Sequence, residues 1–142
     1  MIIGYTSGVF DLFHVGHVRV LKNAKSMCDR LIVGVSTDEL VSSYKNKTPV
    51  ISFDERLEIV SAMQYVDVAV AQNSLDKFDA WEHYKFQYMF VGDDWYKSES
   101  WEKVEEQFKE VGVKIVYFPY TKSTSSTLIN NTLEKLRSER ES

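Results

Sequence analysis

Cysteine, proline and long apolar runs are all scarce in this chain of 142 residues. The single cysteine, Cys28, excludes a disulfide within the chain, which favours a cytoplasmic location. No run approaches the roughly 18 apolar residues of a membrane helix, and no signal peptide opens the sequence. We therefore expect a protein without membrane insertion. The two prolines, Pro49 and Pro119, lie near the ends of predicted elements.

An excess of basic charge is also absent, because the chain has 17 basic and 21 acidic side chains and a net charge of −4. Nucleic-acid-binding proteins usually carry a basic face, so a nucleic-acid partner is not expected. A local basic patch could still hold a small anion. The composition is 44% hydrophobic and 27% charged, which suffices for a packed core. We expect one domain over residues 1–142, with a frayed polar tail at 136–142.

Short apolar runs alternate with segments of helical periodicity along the chain. The runs predicted as strands are residues 2–6, 30–36, 66–71, 88–92 and 113–118. The segments predicted as helices are residues 16–27, 53–63, 75–86, 99–111 and 126–137. This alternation predicts a single Rossmann-like α/β domain, with helices on both faces of a mostly parallel five-stranded sheet.

The loops after the strands are the expected ligand site, because such sheets bind ligands where the strand order reverses. These loops are residues 7–17, 37–52, 92–98 and 119–126. The first contains GVFDLFHVGH at residues 8–17. If His14 and His17 lie in one helical turn, they share a face. Gly8 permits close approach of the backbone, and Gly16 sits at a predicted helix start, where free N–H groups attract anions.

The histidine pair alone leaves several interpretations open. Imidazoles can donate hydrogen bonds to phosphate oxygens, and protonated imidazoles can also neutralise charge. A zinc site would need carboxylates, because the chain has only one further histidine, His83, and one cysteine. The two histidines could also be ordinary packed residues at a helix start.

Beyond the histidine loop, further short motifs occur along almost the whole chain. After GVFDLFHVGH come STDEL at 36–40, YKNK at 44–47, DER at 54–56, YVD at 65–67, GDDW at 92–95 and YTKSTSST at 120–127. This series resembles the HxGH nucleotidyltransferase superfamily and, within it, the cytidylyltransferase family, most closely its bacterial glycerol-3-phosphate type. Several motifs in the right order are more specific than any one of them.

The resemblance implies an enzyme that transfers CMP from CTP, accompanied by Mg²⁺, to a small phosphomonoester and releases pyrophosphate. Glycerol 3-phosphate, giving CDP-glycerol, is the favoured acceptor. Another polyol phosphate, phosphocholine and phosphoethanolamine stay open, and Tyr5, Trp95 and Tyr96 are aromatic candidates for holding an ammonium group. An ATP-dependent adenylyltransferase, for example one acting on FMN, and an inactive nucleotide-binding protein also stay open. The resemblance further implies a homodimer and a role in cell-surface polysaccharide synthesis.

The resemblance assigns the chemistry to the first two loops. His14 and His17 would hold the α-phosphate and stabilise charge as it moves to the leaving pyrophosphate. Lys45 and Lys47 would bind the acceptor phosphate or the α-phosphate and take part in catalysis. Arg56 is an acceptor-binding candidate, with a surface ion pair to neighbouring Asp54 or Glu55 as the alternative.

Further residues are assigned to nucleotide binding. Gly8, Val9 and Phe10 would pass backbone N–H groups beneath the phosphates, and Gly16 at the helix start belongs to the same nucleotide site. Asp11 is also assigned there, and it would orient the histidines, hold magnesium or simply start a helix. The remaining nucleotide contacts are assigned to Asp94, Trp95, Thr121, Lys122, Ser125, Ser126 and Thr127.

Some family positions differ in this chain. Tyr120 and Gln64 stand where the family pattern has arginines, and Val9 stands where many members have threonine. Lys122, two residues beyond Tyr120, is the candidate replacement for the lost positive charge.

Overall fold

A computed structural model describes residues 1–45, 48–74, 76–92 and 99–118 of the chain. Strands and helices alternate through these residues. The strands are β1 (Ile3–Gly8), β2 (Arg30–Ser36), β3 (Val68–Gln72), β4 (Tyr88–Gly92) and β5 (Lys114–Phe118). The helices are α1 (Val15–Ser26), α2 (Asp38–Lys45), α3 (Phe53–Ser61), α4 (Lys77–Tyr84) and α5 (Glu99–Glu110).

The five strands form one parallel sheet in the order β3-β2-β1-β4-β5. The chain builds outward from β1 to β3 and then returns to place β4 on the other side of β1. The strand order therefore reverses between β1 and β4, where Thr6 pairs with Phe90. This arrangement confirms the predicted α/β fold and puts the loop after β1 at the expected ligand crevice.

Two hydrophobic cores cover the two faces of the sheet. One core packs α1 and α3 against the sheet around Leu21, Val33 and Val60. The other packs α4 and α5 on the opposite face around Tyr5, Phe86 and Phe108. Because helices cover both faces, β2 is buried along almost its whole length, which explains its continuous apolar sequence.

Helix α2 is absent from the sequence-based prediction, in which residues 37–52 form a loop. Thr37 precedes the helix, and its Oγ1 accepts a hydrogen bond from Leu40 N at 3.1 Å. Acidic residues occupy the first turn, and Leu40 and Val41 are buried. The short helix thus has a side-chain cap, a favourable dipole interaction and an apolar face, all of which stabilise it.

Other boundaries agree within a few residues. Helix α5, predicted over residues 99–111, ends at Glu110, and Gly112 beyond it adopts a φ of 81°, a conformation typical of a glycine that follows a helix. The helix predicted at 126–137 lies outside the described residues. None of the described helices is both long and apolar enough to cross a bilayer.

Candidate active site

The two histidines of the first loop cap helix α1. His14 is the N-cap residue, and its Nδ1 accepts a hydrogen bond from Gly16 N at 3.0 Å. His17 Nδ1 in turn accepts from His14 N at 3.1 Å. This is a capping box in which histidines replace the usual hydroxyl and carboxylate side chains. The ring centroids lie 4.0 Å apart, which confirms that the pair shares one face.

The same hydrogen bonds fix where each ring carries its proton. Because both Nδ1 atoms accept, each neutral imidazole bears its hydrogen on Nε2 and can donate from there. Burial lowers the pKa of His14. Burial first, and then the charge of His14, lower the pKa of His17 to about 4, although Asp11 opposes this shift. Of the interpretations left open by the sequence, the structure favours neutral donors over charged imidazoles at pH 7.

One of these donors lacks a partner. His14 Nε2 is buried and makes no hydrogen bond to any residue that the structure describes. A buried donor left unsatisfied destabilises a protein by roughly 1–3 kcal/mol, so such groups are uncommon. The position of His14 Nε2 at the N-terminus of α1 suits an anionic acceptor such as a phosphate oxygen.

The loop between β1 and α1 encloses His17 in aromatic side chains. The ring centroids of Phe10 and Phe13 lie 5.4 and 5.0 Å from that of His17. Phe10 and Leu12 adopt φ values of 56° and 49°, a region that non-glycine residues seldom occupy. Strain of this kind persists where the surrounding contacts determine the conformation, and it is concentrated at functional sites.

Asp11 supplies one of those contacts. Its carboxylate accepts hydrogen bonds from Val50 N at 2.8 Å, Ile51 N at 2.9 Å and Leu12 N at 3.1 Å. The side chain therefore ties the histidine loop to the segment before α3. Asp11 does not start α1, since the cap is His14. Its assignment to magnesium stays a prediction, and these contacts lend it no support.

Arg56 has a different environment from the one predicted. It is fully buried, and its ion pair is with Asp38, 2.6 Å away, rather than with a neighbour in the DER motif. Its guanidinium also donates to the carbonyl oxygens of Ile51 at 2.9 Å and of Val9 and Ser36 at 2.7 Å each. Because no part of Arg56 is exposed, these contacts lend no support to its assignment to acceptor binding, which stays a prediction.

The contacts of Arg56 define what it does instead. Val9 follows β1 and Ser36 ends β2, so one side chain joins the carboxyl ends of two adjacent strands. Asp38 completes the junction, because its other oxygen accepts from Phe53 N at 3.2 Å. Asp38 belongs to the STDEL motif and Arg56 to DER. Sequence reasoning assigned no role to Asp38, and its signals were its place in STDEL and its position just after a strand.

Most other predicted contacts fall on parts of the chain that are not described. Gly8 ends β1 and Gly16 lies in the first turn of α1, as expected. Lys45 ends α2, but its side chain is outside the description. Also outside it are Lys47, Asp94, Trp95, Thr121, Lys122, Ser125, Ser126 and Thr127, whose assignments stay predictions.

Comparison with known proteins supplies the family. Residues 5–133 match a family model described as cytidylyltransferase-like. The chain belongs to the cytidylyltransferase-like family. The matched range contains the histidine loop and reaches every strand of the described sheet, so the family assignment covers both the fold and the site.

Two curated relatives cover most of this family member. Glycerol-3-phosphate cytidylyltransferase of Bacillus subtilis is 32% identical over 133 residues, covering 92% of this chain and 96% of that protein. FAD synthase of Thermococcus sibiricus is 30% identical over 132 residues, covering 92% of this chain and 89% of that protein. Relatives with two different names are thus about equally similar, so identity alone does not assign the substrates.

A solved structure supports the same fold. The lipopolysaccharide core biosynthesis protein from Thermoplasma volcanium superposes with a TM-score of 0.71 at 26% identity. The alignment covers 87% of this cytidylyltransferase-like chain and 99% of that one. The likeness therefore extends over almost the whole of the neighbouring chain.

Proposed function

We propose that this protein transfers CMP from CTP to a polyol phosphate, with glycerol 3-phosphate as the first candidate, and releases pyrophosphate. The observation that carries this proposal is the unpaired, buried Nε2 donor of His14 beside His17 at the carboxyl end of β1. The acceptor is suggested by the relative named glycerol-3-phosphate cytidylyltransferase, which aligns over 96% of its length.

The proposed reaction needs positioning and charge stabilisation more than a strong base. An oxygen of the acceptor phosphate attacks the α-phosphorus of CTP, the bond from that phosphorus to the bridging oxygen breaks, and pyrophosphate leaves with the electron pair. A phosphate dianion is already deprotonated at neutral pH. Catalysis then rests on groups that hold the reactants in line and stabilise charge on the transferred phosphoryl group.

His14 and His17 are suited to that stabilisation. Each is a neutral imidazole with its proton on Nε2, and each ring is oriented through Nδ1 by a backbone N–H. Donors fixed before the reaction begins need no reorientation in the transition state. The N-terminus of α1 adds a positive electrostatic potential at the same place.

Magnesium would enter this proposal with the triphosphate. Mg²⁺ commonly takes one or two protein carboxylates and completes its shell with phosphate oxygens and water. Among the residues that the structure describes, no cluster of three or more potential ligands could hold a metal. Asp11 is engaged with three backbone N–H groups.

An ATP-dependent reaction on FMN is the second candidate. It is favoured by the relative named FAD synthase, which aligns over 89% of its length. FMN carries its phosphate on a ribityl chain, so it is also a polyol phosphate. The two candidates therefore differ mainly in the nucleotide and in the size of the acceptor.

The decisive experiment is pyrophosphate release with Mg²⁺ and either CTP or ATP, measured against a panel of acceptors. The panel contains glycerol 3-phosphate, longer polyol phosphates, FMN, phosphocholine and phosphoethanolamine. Turnover that requires CTP and a polyol phosphate is the expected result. Turnover with ATP and FMN would replace the first candidate by the second. Nucleotide binding without any turnover would support an inactive binding protein.

A further inference from the structure

An aromatic ring covers one face of His17 in the candidate active site. The ring centroids of Phe13 and His17 lie 5.0 Å apart and the two planes are inclined by 27°, which is a stacked arrangement. The plane of Phe10 meets that of His17 at a steeper 60°. The imidazole of His14 lies 4.0 Å away. Rings therefore surround His17 on several sides, and its side chain is only partly exposed.

The backbone of the loop determines where Phe13 lies. Leu12, directly before it, has a φ of 49°, and its N–H donates to the carboxylate of Asp11 at 3.1 Å. Phe10, on the other side of Asp11, has a φ of 56°. With these two left-handed residues between them and β1, the rings of Phe10 and Phe13 come within 6.3 Å of each other. The loop thus accepts an unfavourable conformation while it brings both rings to His17.

Packing in the core accounts for Phe10 better than for Phe13. Phe10 is 7% exposed and belongs to the core around Leu21 and Val33. Phe13 is only partly buried and lies at the border of that core. A partly exposed side chain gains less free energy from burial than a fully buried one. The contact with His17 is therefore a larger share of what the Phe13 ring does.

The geometry of the histidine pair depends on the protonation state of His17. Its Nδ1 accepts a hydrogen bond from His14 N at 3.1 Å. A protonated imidazole carries hydrogen on both nitrogens, so it would present a donor to this N–H instead of an acceptor. Protonation of His17 would therefore break the contact that holds His14, which is the N-cap of α1. A neutral His17 keeps both rings in the arrangement on which the proposed catalysis rests.

Exclusion of water is the main reason why His17 stays neutral. Burial is the first cause that lowers the pKa of His17 to about 4, and His14 adds to this shift while Asp11 opposes it. Within the described part of the chain, His14 and Asp11 are the titratable groups that act on His17, since Phe10 and Phe13 carry no charge. An aromatic face attracts a cation, but the lowered pKa shows that desolvation outweighs this attraction.

On the basis of the function proposed above, we propose that Phe13 is a positioning residue for His17. Its ring excludes water from one face of the imidazole and holds that imidazole as a neutral, oriented donor towards the transferred phosphoryl group. Removing the ring opens this face to solvent, which stabilises the imidazolium. Phe10 does not replace it, because Phe10 meets His17 at a steep angle and is itself fixed in the core.

The test is an NMR titration of the His17 imidazole, with turnover measured over the same pH range. We expect the wild-type ring to stay neutral down to about pH 5, with its hydrogen on Nε2. Phe13→Ala should raise the pKa of His17 by about one unit or more, a tenfold change in its protonation equilibrium. The acidic limb of kcat should move to higher pH, while the acceptor KM changes by less than about twofold. Phe13→Tyr keeps the ring and should behave as the wild type.

Phe53→Ala is the matched control. Phe53 is also partly buried beside the same core, and its ring centroid lies 5.8 Å from Cζ of Arg56. Phe53→Ala should lower Tm and leave the titration of His17 unchanged. If Phe13 only packs against the core, Phe13→Ala also lowers Tm and leaves both the pKa of His17 and the acidic limb at their wild-type values. That result overturns the inference, as does a wild-type His17 that titrates near the ordinary value of 6.5.

A second variant keeps the inference testable if Phe13→Ala does not fold. Phe13→Leu retains an apolar side chain but removes the flat ring. It should raise the pKa of His17 by a smaller amount than Phe13→Ala, because it covers the imidazole less completely than phenylalanine does. A folded Phe13→Leu protein with the wild-type titration and the wild-type acidic limb would refute the role of the ring.

The titration needs no turnover, so it separates this inference from the proposed function. Wild-type protein in which Phe13 keeps His17 neutral, but which releases no pyrophosphate with any nucleotide, would refute the function and leave the shielding of His17 intact. Turnover with an acidic limb that does not move in Phe13→Ala, although the titration of His17 shifts, would support the function and refute the positioning role.

Discussion

Replacing the buried Arg56 should destabilise the protein far more than it changes the affinity for an acceptor. Arg56→Met keeps much of the side-chain volume but removes the partner of Asp38 and four hydrogen bonds. It leaves the carbonyl oxygens of Ile51, Val9 and Ser36 without this donor. The junction between the ends of β1 and β2 then loses the group that holds it.

The size of the effect follows from these contacts. Breaking a buried ion pair by removing one partner typically reduces stability by about 3–5 kcal/mol. The four hydrogen bonds are not added to this value, because they belong to the same network. Since whole domains are stable by only about 5–15 kcal/mol, Arg56→Met should leave a marginally folded protein. Asp38→Asn should also destabilise the protein, because it leaves the fully buried guanidinium of Arg56 without a carboxylate partner.

The free energy of unfolding, measured in urea, tests this expectation. Arg19→Met is the matched control, because Arg19 is exposed and a surface change of this kind shifts stability by about 0.5 kcal/mol or less. The reasoning would be refuted if Arg56→Met lost less than about 1 kcal/mol. An acceptor KM that rose strongly in Arg56→Lys at unchanged stability would instead restore the acceptor role.

Three further changes test the site and its support. His14→Ala should lower turnover by about 10²-fold or more, the scale of losing one preorganised donor, and pyrophosphate release at saturating substrate measures this. For His17, the folded pKa of about 4 lies below the ordinary value of 6.5, so the unfolded state binds more protons between these values. Stability should therefore fall by about 3 kcal/mol from this group as the pH drops from 6.5 to 4, and His17→Gln should flatten that part of the urea-unfolding profile. Gly34→Ala should cost about 1–3 kcal/mol through overpacking, because the added Cβ would collide with Tyr5 Oη, and less in a Tyr5→Phe background, where a double-mutant cycle measures the coupling.

The architecture could be predicted from the sequence because local and global signals agree. Each strand is a short apolar run between helical segments, and burial on both faces follows from that pattern. Helix α2 is not predicted in this way, because its eight residues are too few to show a clear helical periodicity of apolar positions beside the lysines of YKNK. Its cap at Thr37 is visible in the sequence, but a single threonine after a strand is equally typical of a loop.

The site was predictable only where the contacts are local. The spacing of His14 and His17 determines that their rings meet in the first turn of α1, and the structure confirms it. The surface ion pair considered for Arg56 is wrong, because charged neighbours in the sequence are not its partners in the structure. Its actual partners come from β1, β2 and α2, and their convergence depends on strand order.

The buried position of Arg56 gives this residue a structural reason to be present. A fully buried guanidinium is restricted by the carbonyl oxygens and the carboxylate around it, so its presence follows from the junction between β1 and β2. A match at Arg56 or Asp38 therefore indicates that the carboxyl ends of β1 and β2 are joined in the same way. Residues that select the acceptor must present a polar atom at the carboxyl edge of the sheet.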